Sequence, residues 1–228
     1  MASRAGVGGN EEDATHEEGT ARMKTAQSKV GSVVVDSLPF SQGGTLAQAH
    51  ALKLTGVDAV AGYLGVINAA RVAHILDAGM AYVPVTLAGE YADGPNDEIA
   101  QLKALGIPLG VTVFLDLEGM KAFRTDPVAL IGKINEWALA VAVAGYVPGL
   151  YVGVPQPLTS DELWALKVQR YWRGQGSIRD RNNALAEPTG CGWCMTQMFP
   201  SYTRGNTWVD ANMIGADYKG RMPTWCVS

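Results

Sequence analysis

The chain has 228 residues with 47% hydrophobic and 18% charged side chains, and 18 Lys+Arg against 22 Asp+Glu leave a net charge of −4. That apolar fraction excludes wholesale disorder and is enough for the core of one sizeable domain. The acidic balance argues against a nucleic-acid binder, and no apolar run is long enough for a membrane span.

Residues 1–32 stand apart. They contain no Leu, Ile, Phe, Trp or Tyr and carry five acids and four bases. Such a segment buries too little surface to offset its ordering entropy, so it is expected to be a polar arm, disordered or ordered only against a protein partner. It has no basic region followed by an apolar stretch, so no secretory signal is expected, and action outside a cell would require lysis, a dedicated channel or a particle.

From residue 33 onward, short apolar runs bounded by Gly, Pro or polar residues read as strands. They begin near residues 33, 57, 81, 110, 149, 168 and 193, with a last one near Thr207. Several are apolar almost throughout, as parallel strands covered on both faces are. Helical spacing of apolar residues marks residues 45–54, 68–78 and 96–105 between them. Asp126-Pro127 opens a long helix that runs to about Ala144, with an acid at the N-cap and Pro at the first position. Thr159-Ser160-Asp161-Glu162 is a capping box for another. The alternation predicts an α/β fold: a compact (β/α)8 TIM-type barrel over residues 33–228, with some helices shortened or missing, especially after residue 172. A doubly wound open sheet is the alternative, weakened because no G-x-G-x-x-G follows the first strand.

The three cysteines, Cys191, Cys194 and Cys226, do not make a disulfide framework. Cys191-Gly-Trp-Cys194 has no second pair or nearby His to complete a zinc site, and His16, His50 and His74 are scattered. No metal and no organic cofactor is expected.

The C-terminal ends of barrel strands form the active rim of this fold class. Asp36 ends the first strand, Asp116 and Glu118 end the fourth, and Asp210 lies in the last. Residues two apart on a strand share a face, so Asp116 and Glu118 converge on one pocket while Leu117 turns away. Taken alone, such a pair fits a helix cap or an Arg partner equally well. Four carboxylates at one rim fit general acid/base chemistry better, because neighbouring acids push one pKa upward. Glycoside hydrolysis uses that arrangement: one carboxylic acid protonates the leaving oxygen, while a second carboxylate activates water or stabilises positive charge. Tyr63, Tyr151, Trp172, Trp193 and Trp208 fall at or near strand ends, where an aromatic face stacks on a sugar or simply fills the core. Gln197 is placed either to bond sugar hydroxyls or to satisfy barrel backbone. Glu90 is a fifth rim acid. The basic run from Arg170 to Arg181 fits a solvated loop, a protein contact or a site for substrate carboxylates.

Val-Val-Asp36, Phe-Leu-Asp116-Leu-Glu118, Gly-Leu-Tyr151, and Trp193-x-x-x-Gln197 followed by Val-Asp210-Ala-Asn212 occur in the order found in family 25 glycoside hydrolases, which are lysozyme-type muramidases. The stretch Val60-Ala-Gly-Tyr-Leu-Gly65 resembles more closely a related set of glycoside-hydrolase-like barrels known only as a domain of unknown function, DUF1906. The resemblance spans about residues 33–218 as short islands. It implies a cell-wall hydrolase acting on β-1,4 links between amino sugars of peptidoglycan, with Glu118 as general acid, supported by Asp116, Asp36 and Asp210. An enzyme of this kind without a signal would fit a phage lysin or virion component at the bacterial cell wall. Two departures stand out. Ser37-Leu38-Pro39-Phe40 replaces the Cys-containing continuation common in the unknown-function set, and residues 86–91 lack the aromatic sequence of the muramidase third strand. The alternative function is a catalytically inactive barrel serving as a structural or binding module of a virion or secreted particle, docked through its arm.

Overall fold

The computed structural model describes residues 23–86, 95–116, 118, 126–153 and 157–228. Among them, ten strands form one sheet: β1 (Lys24–Gln27), β2 (Val33–Asp36), β3 (Ala59–Tyr63), β4 (Ala81–Thr86), β5 (Thr112–Asp116), β6 (Val147–Val152), β7 (Arg170–Arg173), β8 (Met195–Arg204), β9 (Thr207–Ile214) and β10 (Thr224–Val227). Six helices among the described residues accompany them: α1 (Leu38–Gly43), α2 (Leu46–Leu54), α3 (Ala69–Asp77), α4 (Pro95–Ala104), α5 (Pro127–Val143) and α6 (Ser160–Ala165). The strand order runs β4-β3-β2-β9-β8-β7-β6-β5, and β5 pairs back onto β4 through Val85–Phe114 and Thr86–Leu115. Eight strands therefore close into a barrel.

Local sequence accounts for much of this. The Asp126 side chain accepts from the Val128 and Ala129 amides, and Pro127 begins α5. Reciprocal capping boxes start α2, at Thr45 and Gln48, and α6, at Thr159 and Glu162. These caps satisfy amides that have no partner inside the helix. The strands bury both faces, as a sheet wrapped by helices must. On the outer face, Val35, Val60, Tyr82, Leu115, Leu150 and Tyr171 join the core formed with the helices. On the inner face, Val34, Ala59, Ala61, Val83, Phe114 and Trp172 fill the barrel. Small residues make room for the aromatics: a Cβ at Gly149 would fall 2.5 Å from the Phe114 ring.

The expected (β/α)8 TIM-type barrel is corrected by the connections. Strands β2–β9 begin within two residues of the positions expected, but helices follow only β2 to β6. Residues 174–194, between β7 and β8, hold no helix. Their Gly, Pro, Asp and Asn residues favour turns over a 3.6-residue apolar period. Strand β9 is antiparallel to both of its neighbours, β2 and β8. The cause is the Gly205-Asn206 turn, with φ +52° and +60°. Two residues with positive φ make a hairpin, whereas a parallel return needs a crossover of a dozen or more residues. The fold is thus a closed, mixed eight-strand barrel.

Strands β1 and β10 lie outside that ring. β10 meets β4 at Cys226–Tyr82, near the start of β4, and β1 pairs along β10. Trp225, Ala26 and Val227 pack on the interior cluster, and Thr224 Oγ1 donates to Gly110 O while Thr25 Oγ1 donates to Leu109 O. Together they floor the barrel at the N-terminal ends of its parallel strands. Part of the segment expected to be an arm therefore forms β1; residues 1–22 lie outside the described residues. Among the described residues, no helix is long and apolar enough to cross a membrane.

Candidate functional site

Alternation along the strands decides which side chains reach the barrel interior. Val34 and Asp36, Phe114 and Asp116, Gly149 and Tyr151, and Arg170 and Trp172 each share a face with the inner cluster. On β9, Trp208, Asp210, Asn212 and Ile214 share a face, and the antiparallel register sets Asp210 directly opposite Asp36. All four expected carboxylates, Asp36, Asp116, Glu118 and Asp210, line one cavity of about 70 Å3 with Tyr63, Val85, Tyr151 and Trp172.

Two hydrogen-bond chains hold this cavity. Asp36, 8% exposed, accepts from the Tyr63 hydroxyl at 3.0 Å and from Asn212 Nδ2 at 2.7 Å. The Asn212 carbonyl in turn accepts from Trp172 Nε1 at 2.9 Å. Asp210 accepts from Gln197 Nε2 at 2.7 Å, and the Gln197 carbonyl accepts from the Tyr151 hydroxyl at 3.0 Å. In both chains an aromatic donor fixes which way an amide points, so the amide NH2 is committed to a carboxylate. Asp116 Oδ1 accepts the Glu118 amide at 2.8 Å and so fixes the Glu118 backbone. The Glu118 side chain lies against Gly153, where a Cβ would overlap it.

The electrostatics follow from burial. Desolvation pushes the Asp36 carboxyl up to about 7; the Asn212 hydrogen bond opposes the rise and the Asp210 charge adds to it. The phenols of Tyr63 and Tyr151 are held above their ordinary range, again chiefly by burial. Burial thus moves the protonation of Asp36 from the usual carboxylate range toward neutral pH.

The remaining expectations sort clearly. Trp208 is 55% exposed and lines a second depression that abuts the first. Trp172 is buried and forms part of the cavity wall, edge-on to Tyr151 and Phe114. Gln197 meets the cavity through its hydrogen bond to Asp210. Trp193 is not brought to the site: it packs on the outer core, edge-on to Tyr171, and lines neither depression. Arginines of the basic run also line neither. Arg170 donates to Met222 O, Arg179 to Asn183 O, and Arg181 to Glu162 and Pro157 O. Glu90 and Leu117 lie outside the described residues. The three cysteines are buried and free, and burial pushes the Cys194 thiol up to about 12. Among the described residues, no group of three or more His, Cys, Asp or Glu is arranged to hold a metal ion. Val85, Asn212 and Gly153 are site residues that the sequence reading did not select. Asn212 could have been found by its spacing, two residues beyond Asp210 on the same strand face.

No family model matches the chain, and no curated protein matches it. A solved structure is similar: an uncharacterized protein of B. stearothermophilus, determined at 1.07 Å. It is 18% identical with a TM-score of 0.57, and the match covers 81% of this chain and 96% of that one. The likeness is one of fold. The resemblance to glycoside hydrolases rests on the sequence islands alone.

Proposed function

We propose that this protein is a lysozyme-like glycan hydrolase that cleaves peptidoglycan or a related polysaccharide by carboxylate general acid/base chemistry. The observation that carries this reading is the convergence of Asp36 and Asp116 from two strand ends, Glu118 just beyond the second, and Asp210 from the middle of β9 on one aromatic-walled cavity. Glu118 donates a proton to the glycosidic oxygen as the C–O bond breaks, leaving a hydroxyl on the departing sugar. Asp116 holds the backbone amide of Glu118. Asp36 and Asp210, each fixed by an amide, face the developing positive charge or take the proton from the attacking water. Proton transfer of this kind needs no metal or organic cofactor.

The test is release of reducing ends from purified peptidoglycan by the wild type and by Glu118→Gln. The variant should be slower by about 10²-fold or more, the usual contribution of a general acid, with an unchanged melting temperature. Equal rates would remove Glu118 from the role. A wild type that binds the polymer and releases nothing would favour a binding module instead.

A further inference from the structure

Asp36 is buried, and both of its oxygens are engaged: Oδ1 accepts from the Tyr63 hydroxyl and Oδ2 from Asn212 Nδ2. The two partners differ in kind. A phenol hydroxyl rotates and can donate or accept, whereas the two ends of an amide are fixed as donor and acceptor. The Asn212 amide has one orientation open to it. Its carbonyl meets Trp172 Nε1, which only donates, at 2.9 Å. Its NH2 meets oxygens alone: Asp36 Oδ2 at 2.7 Å, Val34 O at 3.3 Å and Asp210 O at 3.4 Å. Reversal would set N–H against N–H and a carbonyl against acceptors, all of them buried.

That lock decides where a proton on Asp36 can sit. On Oδ2 it would point at the Asn212 NH2, donor against donor. On Oδ1 it meets the Tyr63 oxygen, provided that the phenol turns its own hydrogen away. Tyr63 ends β3, is half-buried and lines both depressions beside Asp36, so its hydrogen turns toward the cavity. The charged groups nearby keep the phenol whole. Asp116 on β5, Tyr151 on β6 and Asp36 itself all oppose its ionisation, as burial does, and Glu118 lines the same cavity. Asp210 on β9 and Asp116 add their charge at Asp36. Tyr63 can therefore exchange one hydrogen for another while staying neutral.

We infer that Tyr63 is the proton carrier between Asp36 and the cavity. While Asp36 is ionised, the Tyr63 hydroxyl donates to Oδ1 and offers its lone pair to the cavity. A water there passes a proton to the Tyr63 oxygen as the Tyr63 hydrogen passes to Asp36 Oδ1. The water's remaining O–H forms the new bond to carbon, Tyr63 is unchanged and Asp36 ends neutral. In the other direction Asp36 gives its proton to Tyr63, and Tyr63 gives its own to an oxygen in the cavity. Naming water as the proton's source rests on the glycan-hydrolase reading; the exchange between Asp36 and Tyr63 does not.

The test is an NMR titration of the full-length protein, ¹³C-labelled at Asp Cγ and Tyr Cζ, from about pH 5 to about pH 9. Asp36 and Tyr63 should show one shared midpoint near 7, far below the phenol's own range, because the hydroxyl changes roles as the carboxyl ionises. Asn212→Ala opens Oδ2 to the proton and lets Tyr63 donate to Oδ1 in both states, so the Tyr63 response should fall to about half or less while Asp36 still titrates. The field of the carboxylate alone would leave that response whole, so an undiminished response in a folded Asn212→Ala protein overturns the carrier. A Tyr63 signal that stays flat while Asp36 titrates does so too. Neutron diffraction from wild-type crystals below the midpoint tests the same point without a substitution. A proton on Oδ1, with the Tyr63 hydrogen turned to the cavity, is expected; a proton on Oδ2 refutes the carrier. None of these measurements uses a substrate, so failure of the carrier and failure of peptidoglycan cleavage are read separately.

Discussion

Replacing Gly153 by Ala tests whether Glu118 occupies its working position. Gly153 follows β6 and does not adopt a positive φ, so Ala is compatible with its backbone. A Cβ there would lie 2.5 Å from Glu118 Cγ and closer still to Cδ and Oε1. Ordinary carbon contact begins near 3.5 Å, so the side chain must retreat by at least about 1 Å. The retreat costs the fold little, because the obstructed group is the end of a flexible side chain. Ala also narrows the unfolded ensemble, so the net change in stability should stay within about 1 kcal/mol. Catalysis is less forgiving: a misplacement of about 1 Å costs on the order of 10²-fold in rate. Reducing-end release from peptidoglycan should therefore fall by about that factor in kcat, approaching the Glu118→Gln level, while denaturant midpoints stay close to wild type. A Gly153→Ala enzyme within about threefold of wild type, alongside a dead Glu118→Gln, would refute the assigned position of the acid.

Two further perturbations follow from the site and the hairpin. Asp36, with its carboxyl pushed from 3.8 up to about 7, keeps a proton in the folded protein that the unfolded chain loses near pH 4. Its contribution to stability is thus full below about pH 4 and is lost as pH rises toward 7, a change on the order of 4 kcal/mol. Asp36→Asn removes that slope, so urea unfolding at pH 4.5 and 7.5 should show the variant gaining on wild type at the higher pH; parallel stability curves would contradict the assignment. Gly205→Ala places a Cβ 2.7 Å from backbone atoms of Ala51 and Leu52 in α2, at a φ of +52°. Neither strain has an easy escape, and a loss of about 2–4 kcal/mol in urea denaturation is expected.

The strands were legible because each is a short apolar run between turn residues, and α5 and α6 because Asp126-Pro127 and the Thr159–Glu162 box announce them. Direction was not legible from the strands themselves: an apolar run at Thr207 reads the same whichever way it runs. The information lay in the two residues before it, Gly205-Asn206, whose only compact solution is a hairpin. β1 is harder still. Lys24-Thr25-Ala26-Gln27 has no apolar period and is a strand because β10 presents an edge to it, a non-local cause. At the site, carboxylates were found by their place at strand ends, whereas aromatics were chosen by type. That fails for Trp193, which faces the outer core, and succeeds for Trp172, whose parity with Arg170 turns it inward. Asn212 went unselected because an amide carries no chemistry of its own; its role arises from the partners that the fold supplies.

Because β1 and β10 floor the barrel, both ends of the described chain sit at the pole opposite the carboxylates. A cargo, tag or solid support joined beyond Val227 would stand behind the molecule and leave its mouth facing outward. If the proposed glycan reading holds, tethering there would let the protein stay anchored from the rear while the polymer meets its front.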